Sequence, residues 1–225
     1  MWPKGGIALL RKIVFTVAFV FLACIGSAVL GGATDLVVDS QFVSDKLGKT
    51  GWIILDVRTA EEYRDGHIPT AVNLGDVAAK VLRDPTHRAY TVVPAIEKKL
   101  GDAGIGNDQH IIVYGKAADA YYNTVNLWIL EFLGCNSPQL SCTAHYYDGG
   151  IEQWESYGGK LEGRDSFLPK TQFKAKVVSS RLATSEEVLR VVKGQAKAVL
   201  IDVRTDAEYN GSDIRALRGD AFLVR

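Results

Sequence analysis

The feature that most constrains the fold of this 225-residue chain is a phrase that occurs twice. "LDVRTAEEY" begins at Leu55, and "IDVRTDAEY" begins at Ile201. Six of the eight residues at 56–63 are identical to those at 202–209. Two unrelated segments seldom share so much, so the sequence predicts that one domain has been duplicated.

Each copy of the phrase has the pattern of a strand, a tight turn and a helix. A continuous apolar run precedes Asp56 and again Asp202, which is typical of a strand that is buried on both faces. Thr59 and Thr205 then stand where a side-chain oxygen caps a new helix, which "AEEY" or "DAEY" begins. We therefore expect the same strand, turn and helix at both places.

Between the two copies, predicted strands and helices alternate. The sequence predicts a helix over 92–100, a strand "HIIVY" over 110–114 and then an amphipathic helix that Gly134 ends. A short strand with a Gly-rich turn, "AHYYDGG", and a further helix, "IEQWESYGG", follow. This alternation predicts an α/β fold, in which a parallel sheet carries helices on both faces.

The overall charge excludes some classes of partner. The chain has 26 basic and 26 acidic residues, so it lacks the basic excess that attracts nucleic acid or an anionic membrane surface. We expect no nucleic-acid partner, and contact with a membrane only through the N-terminal segment.

The N-terminal segment has the order of an export signal. Basic residues precede an uncharged apolar run over 13–30, and small residues follow it, so residues 1–33 are predicted to be a signal peptide. The run is also about as long as the shortest membrane-spanning helix, roughly 17 residues, and a retained anchor stays open. In both cases the remainder is expected to be exported, periplasmic or otherwise extracytoplasmic.

The expected location determines which redox state we expect for Cys135 and Cys142. Exported proteins meet an oxidising compartment in which thiols pair, and "CNSPQLSC" contains the residues of a surface loop that could bring the two sulfurs together. A disulfide is favoured, and two unpaired thiols remain open. His145 extends the pattern to C-x6-C-x2-H, but a structural zinc site usually has four ligands and closer cysteines, so no metal is expected.

The residues from Ile54 to Leu74, "ILDVRTAEEYRDGHIPTAVNL", resemble the opening signature of rhodanese domains, the sulfurtransferase family. The later "IIVY", "YYDGGIEQW" and "VLIDVRTDAEYNGSDI" strengthen the resemblance, and their order is similar to that of a tandem rhodanese. It implies a complete rhodanese-like domain over 35–163, a linker over 164–180 and an incomplete second copy over 181–225. One departure is Thr70, where the family usually has glycine.

The resemblance implies a particular active site. In the family, one cysteine follows the "IIVY" strand, in a loop where backbone N–H groups and a helix N-terminus stabilise a thiolate that takes sulfane sulfur from thiosulfate. In this chain Gly115 occupies that position. The loop continues with Lys116, Ala117, Ala118, Asp119 and Ala120. The first copy is therefore expected to have no catalytic residue and no cofactor. Lys116 is expected to be a solvated surface charge, although with the loop amides it could hold an anion weakly.

The remaining motif residues are expected to be structural. Asp56 with Arg58, and Asp202 with Arg204, stand at strand ends, where such pairs usually brace the following turn. The family motif "GHIP" supplies His67 and Pro69. We expect His67 to pack and to form hydrogen bonds rather than to act as a base.

Two main functional hypotheses follow, and a third, a redox role for Cys135 and Cys142, is disfavoured because their spacing is not C-x-x-C. The second copy stops before its own loop and ends in "AFLVR", which favours a truncated sequence over a natural short form. The first hypothesis is a sulfurtransferase whose active site belongs to a longer parent, with a small sulfur-containing anion and a thiol acceptor as partners. The second is a non-catalytic rhodanese-like binding or scaffold module. The sequence does not give the oligomeric state.

Overall fold

A computed structural model describes residues 35–75 and 80–213 of the chain. The chain divides into two compact units, of which the first ends at Val177 and the second begins at Val178. The predicted signal or anchor over 1–33 and the final residues 214–225 lie outside the described residues. Within the described ranges, no helix combines the length and the apolarity that crossing a membrane requires.

The first unit is built on a five-stranded, wholly parallel sheet. Its strands are β1 (Val37–Val38), β2 (Trp52–Asp56), β3 (Val72–Asn73), β4 (His110–Tyr114) and β5 (Thr143–Tyr147). Their order across the sheet is β1-β5-β4-β2-β3. The predicted strand "HIIVY" is confirmed as β4, at the centre of the sheet.

Helices cover both faces of this sheet. They are α1 (Ser40–Lys46), α2 (Ala60–Asp65), α3 (Val93–Asp102), α4 (Ala120–Phe132) and α5 (Gly150–Ser156). One apolar cluster joins α1, α2 and α5 to one face, and a second joins α3 and α4 to the other. Because both faces are covered, β2 and β4 read as unbroken apolar runs. The predicted α/β class is confirmed.

The first unit extends beyond its predicted end. We expected residues 164–180 to be a linker, but Phe173 is only 2% exposed and lies in the cluster with α3 and α4. The Thr171 N–H donates to the carbonyl of Gly101 at 2.9 Å, which also accepts from the Gly104 N–H at 3.0 Å, so this segment is hydrogen-bonded to the end of α3. The segment up to Val177 therefore packs as part of the first unit.

The described part of the second unit, residues 178–213, contains α6 (Ser185–Val192) and α7 (Asp206–Tyr209). The strand predicted from "AVLIDV" does not form there, and Val199 and Ile201 are exposed. A strand needs a neighbour to complete its hydrogen bonds, and residues 178–213 offer none. The assignment of 181–225 to an incomplete second copy stays a prediction.

The turn of the repeated phrase forms in both units. Thr59 and Glu62 make a reciprocal capping box at the start of α2, and Thr205 and Glu208 make the same one at the start of α7. In such a box each side chain accepts from the backbone N–H of the other residue. The predicted helix starts are therefore confirmed in both copies.

Candidate functional site

The candidate site is the loop that follows β4, at the carboxyl edge of the sheet. In parallel α/β sheets, ligands bind beyond the carboxyl ends of the strands. There β2 ends at Asp56 beside Tyr114, the last residue of β4. The loop from Gly115 to Asp119 then leads through a short 3₁₀ turn into α4.

A buried hydrogen-bond network lies beneath this loop. Arg58 Nη2 donates to Asp56 Oδ2 at 2.6 Å and to the carbonyl of Gly66 at 2.7 Å. The Tyr114 hydroxyl donates to the same Asp56 oxygen at 2.5 Å. Asp56 is fully buried and Arg58 is 6% exposed. The pair ties the end of β2 to the turn after α2.

The pKa values of Arg58 and Tyr114 in this network are both raised. Burial alone would lower the pKa of Arg58, but hydrogen bonding and charge attraction from Asp56 raise it. Burial, and next the Asp56 charge, hold the pKa of Tyr114 well above its usual value of 10.0. Neither of these two groups exchanges protons near neutral pH, so neither is suited to act as a general acid or base there.

His67 packs beneath the turn. Its ring stacks on Tyr63 with a centroid distance of 3.7 Å. The His67 Nδ1 donates to the backbone carbonyl of Tyr63 at 2.8 Å, and the His67 ring is fully buried. Its neighbour Pro69 is partly buried, and Thr70 has a φ of 66°. Thr70 thus occupies a left-handed position that suits glycine, which is where the sequence departs from the family pattern.

The loop has no room for a side chain at residue 115. A Cβ on Gly115 would lie 2.2 Å from Asn123 Oδ1. Asn123 is buried and is held in place, because its Nδ2 donates to the carbonyl of Lys116 at 2.9 Å. The Asn123 amide on α4 thus lies where a side chain at residue 115 would be.

The Gly-rich turn before α5 brings that helix against the loop. Gly150 has a φ of 64°, and a Cβ there would lie 2.5 Å from the carbonyl oxygen of Gly115. The Ile151 N–H donates to that oxygen at 2.9 Å. This contact requires glycine for both conformation and space. The "DGG" of the sequence thus positions α5 at the loop.

The anion-binding groups of the loop are taken by the chain's own carboxylates. The Ala117 N–H donates to Glu152 Oε2 at 3.0 Å. The Lys116 ammonium pairs with Glu62, which raises the pKa of Lys116. Partial burial alone would raise the pKa of Glu62, but hydrogen bonds from Lys116 and Thr59 lower it to about 2. Lys116 is thus ion-paired within the described structure, neither an isolated surface charge nor an open anion site.

The two cysteines lie away from this loop. Cys135 and Cys142 form a disulfide with an S–S distance of 2.06 Å, and both are 1% exposed. They stand after α4 and immediately before β5, at the amino edge of the parallel sheet. His145 does not join them, because its Nδ1 donates to the carbonyl of Asp35 at 2.7 Å.

Three residues of the site were not identified from the sequence. Asn123 and Glu152 are polar residues on helices, and nothing in their spacing distinguishes them from solvated side chains. Glu62 did have a signal, the T-x-x-E capping pattern after β2, but its partner Lys116 is far away in the sequence. The tertiary arrangement alone brings these groups together.

Comparison with known proteins agrees with this architecture. The family model for the rhodanese-like domain matches residues 40–157. A putative thiosulfate sulfurtransferase of Saccharopolyspora erythraea is 26% identical over 178 residues, covering 79% of this chain and 59% of that protein. The thiosulfate sulfurtransferase of Corynebacterium glutamicum is 26% identical over 187 residues, covering 80% and 58%. The chain thus spans about three fifths of these relatives.

A solved structure shares the fold. SseA from Escherichia coli, described as a 3-mercaptopyruvate sulfotransferase with the "rhodanese" fold, matches with a TM-score of 0.59 at 22% identity. The match covers 80% of this chain and 69% of that one. At this identity the likeness concerns the fold alone, whereas the family model covers more than half of the 225 residues. The chain belongs to the rhodanese-like domain family.

Proposed function

We propose that this chain is a cell-envelope protein of the thiosulfate sulfurtransferase type whose first unit is a non-catalytic module. Its curated relatives are named thiosulfate sulfurtransferases. The observation that carries the proposal is the closed loop, in which Gly115 replaces the nucleophile and Asn123 fills the space of its side chain.

Sulfane-sulfur transfer requires a thiolate. The thiolate attacks the outer sulfur of thiosulfate, sulfite leaves with the electron pair of the broken S–S bond, and a persulfide results. A thiophilic acceptor then removes that sulfur and restores the thiolate. Within the described residues the only cysteines are Cys135 and Cys142, which are oxidised and buried. The first unit therefore supplies no nucleophile for this reaction.

The same loop supports a binding or scaffold role for the first unit. Glu152 accepts from the Ala117 N–H and Glu62 pairs with Lys116, so these two loop groups have partners without a ligand. A small sulfur-containing anion would have to displace a carboxylate that is already hydrogen-bonded. The unit thus serves as a scaffold for a catalytic partner or domain, and the substrate binds elsewhere.

The test is thiosulfate treatment of the purified chain. We expect intact-mass spectrometry to show no added sulfur atom, and we expect no thiocyanate when cyanide is supplied. Turnover that survives replacement of all three cysteines, Cys24, Cys135 and Cys142, would show that the loop assignment is wrong.

A matched pair of variants tests the closed loop directly. Glu152→Ala removes the acceptor from the Ala117 N–H and should give weak thiosulfate binding by calorimetry. Glu155→Ala alters an exposed residue of the same helix and should give none. Equal binding by both variants, or by the parent chain, would contradict occupation of the loop by Glu152.

The cell-envelope location has its own support and test. The Cys135–Cys142 disulfide is of a kind that persists outside the reducing cytosol. Sequencing the N-terminus of the protein from fractionated cells distinguishes a removed signal at 1–33 from a retained anchor at 13–30. A full-length, reduced protein in the cytosol would contradict the proposed location.

A further inference from the structure

A groove of about 610 Å³ lies on the first unit, between α2 and α3. Its volume falls within the range of small-molecule sites, roughly 300–1,000 Å³. No residue of the loop from Gly115 to Ala120 lines it. It is therefore separate from the position that the family uses for its nucleophile.

One wall of the groove is the segment 165–171, which we name the strap. The Ser166 N–H donates to the Tyr63 hydroxyl at 3.0 Å, which fixes one end of the strap to α2. The Thr171 N–H donates to the Gly101 carbonyl at 2.9 Å, which fixes the other end to α3. The strap is thus held at both ends and gives the groove a defined shape.

The floor and the rim of the groove are apolar. Small or aliphatic side chains line its inside: Ala60, Val72, Leu74, Ala95, Ala103 and Leu168. Phe167 also lines the groove from the strap, yet 86% of it is exposed. A single exposed aromatic residue is common, but one at the edge of an apolar groove gives the body of a ligand a surface to cover.

The groove also contains cationic groups without partners. Lys99, half-buried on α3, forms no ion pair or hydrogen bond with any described residue. Its burial lowers the pKa of its ammonium group, against the opposing charge of Asp102. Arg64 lines the groove from α2 and is likewise unpaired among the described residues. Lys98 also lines the groove, but it is exposed and pairs with Asp102, which Lys170 contacts as well. Asp165 is the other carboxylate of the lining.

We propose that this groove binds a small organic anion, whose charged group contacts Lys99 and Arg64 and whose apolar body packs against Phe167 and the floor. Asp102, the carboxylate whose charge acts on Lys99, already pairs with Lys98 and Lys170. An anion in the groove would give Lys99 an ion-pair partner of its own. An inorganic anion would satisfy the lysine but would leave the apolar surface exposed, so the ligand needs both parts.

Two dyes of the same aromatic skeleton test the proposal on the full chain. Anilinonaphthalene sulfonate carries a sulfonate, and N-phenylnaphthylamine does not. Lys99→Gln should weaken binding of the sulfonate by about tenfold, the worth of one charge-assisted hydrogen bond, and should leave the neutral dye unchanged. Phe167→Ala should weaken binding of both dyes.

Lys174→Gln is the control, because it removes the same charge from an exposed residue that pairs with Glu97 and does not line the groove. It should leave both affinities unchanged. Equal loss in Lys174→Gln and Lys99→Gln would mean that general electrostatics causes the effect and would overturn the proposal. No loss in Lys99→Gln, no effect of Phe167→Ala, or no dye binding at all would also overturn it. Melting curves establish that each variant is folded.

Discussion

A cysteine introduced at residue 115 would place its Cβ 2.2 Å from Asn123 Oδ1, closer than such atoms approach in folded proteins. Asn123 lies on α4 and is buried, so the clash cannot be relieved by turning a surface side chain into solvent. Gly115→Cys must therefore displace Asn123 and break its hydrogen bond to the carbonyl of Lys116. We expect this variant to lower the stability of the first unit.

The size of the effect follows from the two losses. Overpacking a buried site costs about 1–3 kcal/mol, and the lost hydrogen bond costs about 1 kcal/mol. Together they amount to about 2–4 kcal/mol. A chain of this length loses about 2–4 °C in Tm for each kcal/mol, so the melting temperature of the first unit should fall by roughly 4–16 °C.

The assay is a double-mutant cycle of Gly115→Cys and Asn123→Ala. Three of the four tryptophans, Trp52, Trp128 and Trp154, lie in the described part of the first unit, so their fluorescence during urea unfolding reports on that unit. Asn123→Ala removes the side-chain amide with which the cysteine at residue 115 would clash. The double variant should therefore be more stable than the sum of the single effects predicts, by about 1–3 kcal/mol.

Additive effects would refute this reasoning. They would mean that Asn123 does not limit the space at residue 115. A Gly115→Cys variant as stable as the parent chain would refute it more directly, because the loop would then accommodate the nucleophile of the family without rearrangement.

Three further predictions use the same fluorescence assay. Thr70→Gly should stabilise the first unit by about 1 kcal/mol, because a β-branched residue at a φ of 66° is strained; a loss would contradict this. Burial lowers the pKa of His145, so the unfolded chain binds the proton more readily and stability should fall as the pH drops below about 6.5. His145→Gln should flatten that decline, and an unchanged pH profile would contradict the assignment. Phe173→Ala should cost about 3–5 kcal/mol, whereas exposed Phe167→Ala should change stability by less than about 0.5 kcal/mol; equal costs would mean that Phe173 is not part of the core.

The alternation of apolar runs and helical periods was enough to predict the parallel sheet with helices on both faces. Strands such as β4 are short, apolar and bounded by polar residues, and such a run is expected in the buried centre of a sheet. The sequence also located the loop at Gly115, because its position follows directly from the end of β4. It could not show that Asn123 and Glu152 close that loop, since these partners come from helices that begin at residues 120 and 150.

The segment 164–177 shows the same limit. Nothing in its composition distinguishes a linker from a packed segment, because it has no helical or strand period. Its role depends on carbonyls at the end of α3 and on a space in the core that Phe173 fills. The groove exists only because that segment returns to α2 and α3, so no sequence pattern predicted it.

The repeated phrase separates what the sequence determined from what the tertiary structure decided. Arg58 bonds Asp56, and Arg204 bonds Asp202 with nearly the same geometry, at 2.6 and 2.5 Å. These contacts, like the two capping boxes, join residues two or three positions apart, so the local sequence is sufficient for them. The strand before the phrase forms only in the first unit, between β3 and β4. Its hydrogen bonds need neighbouring strands from distant parts of the chain, and among residues 35–75 and 80–213 only the first unit provides them.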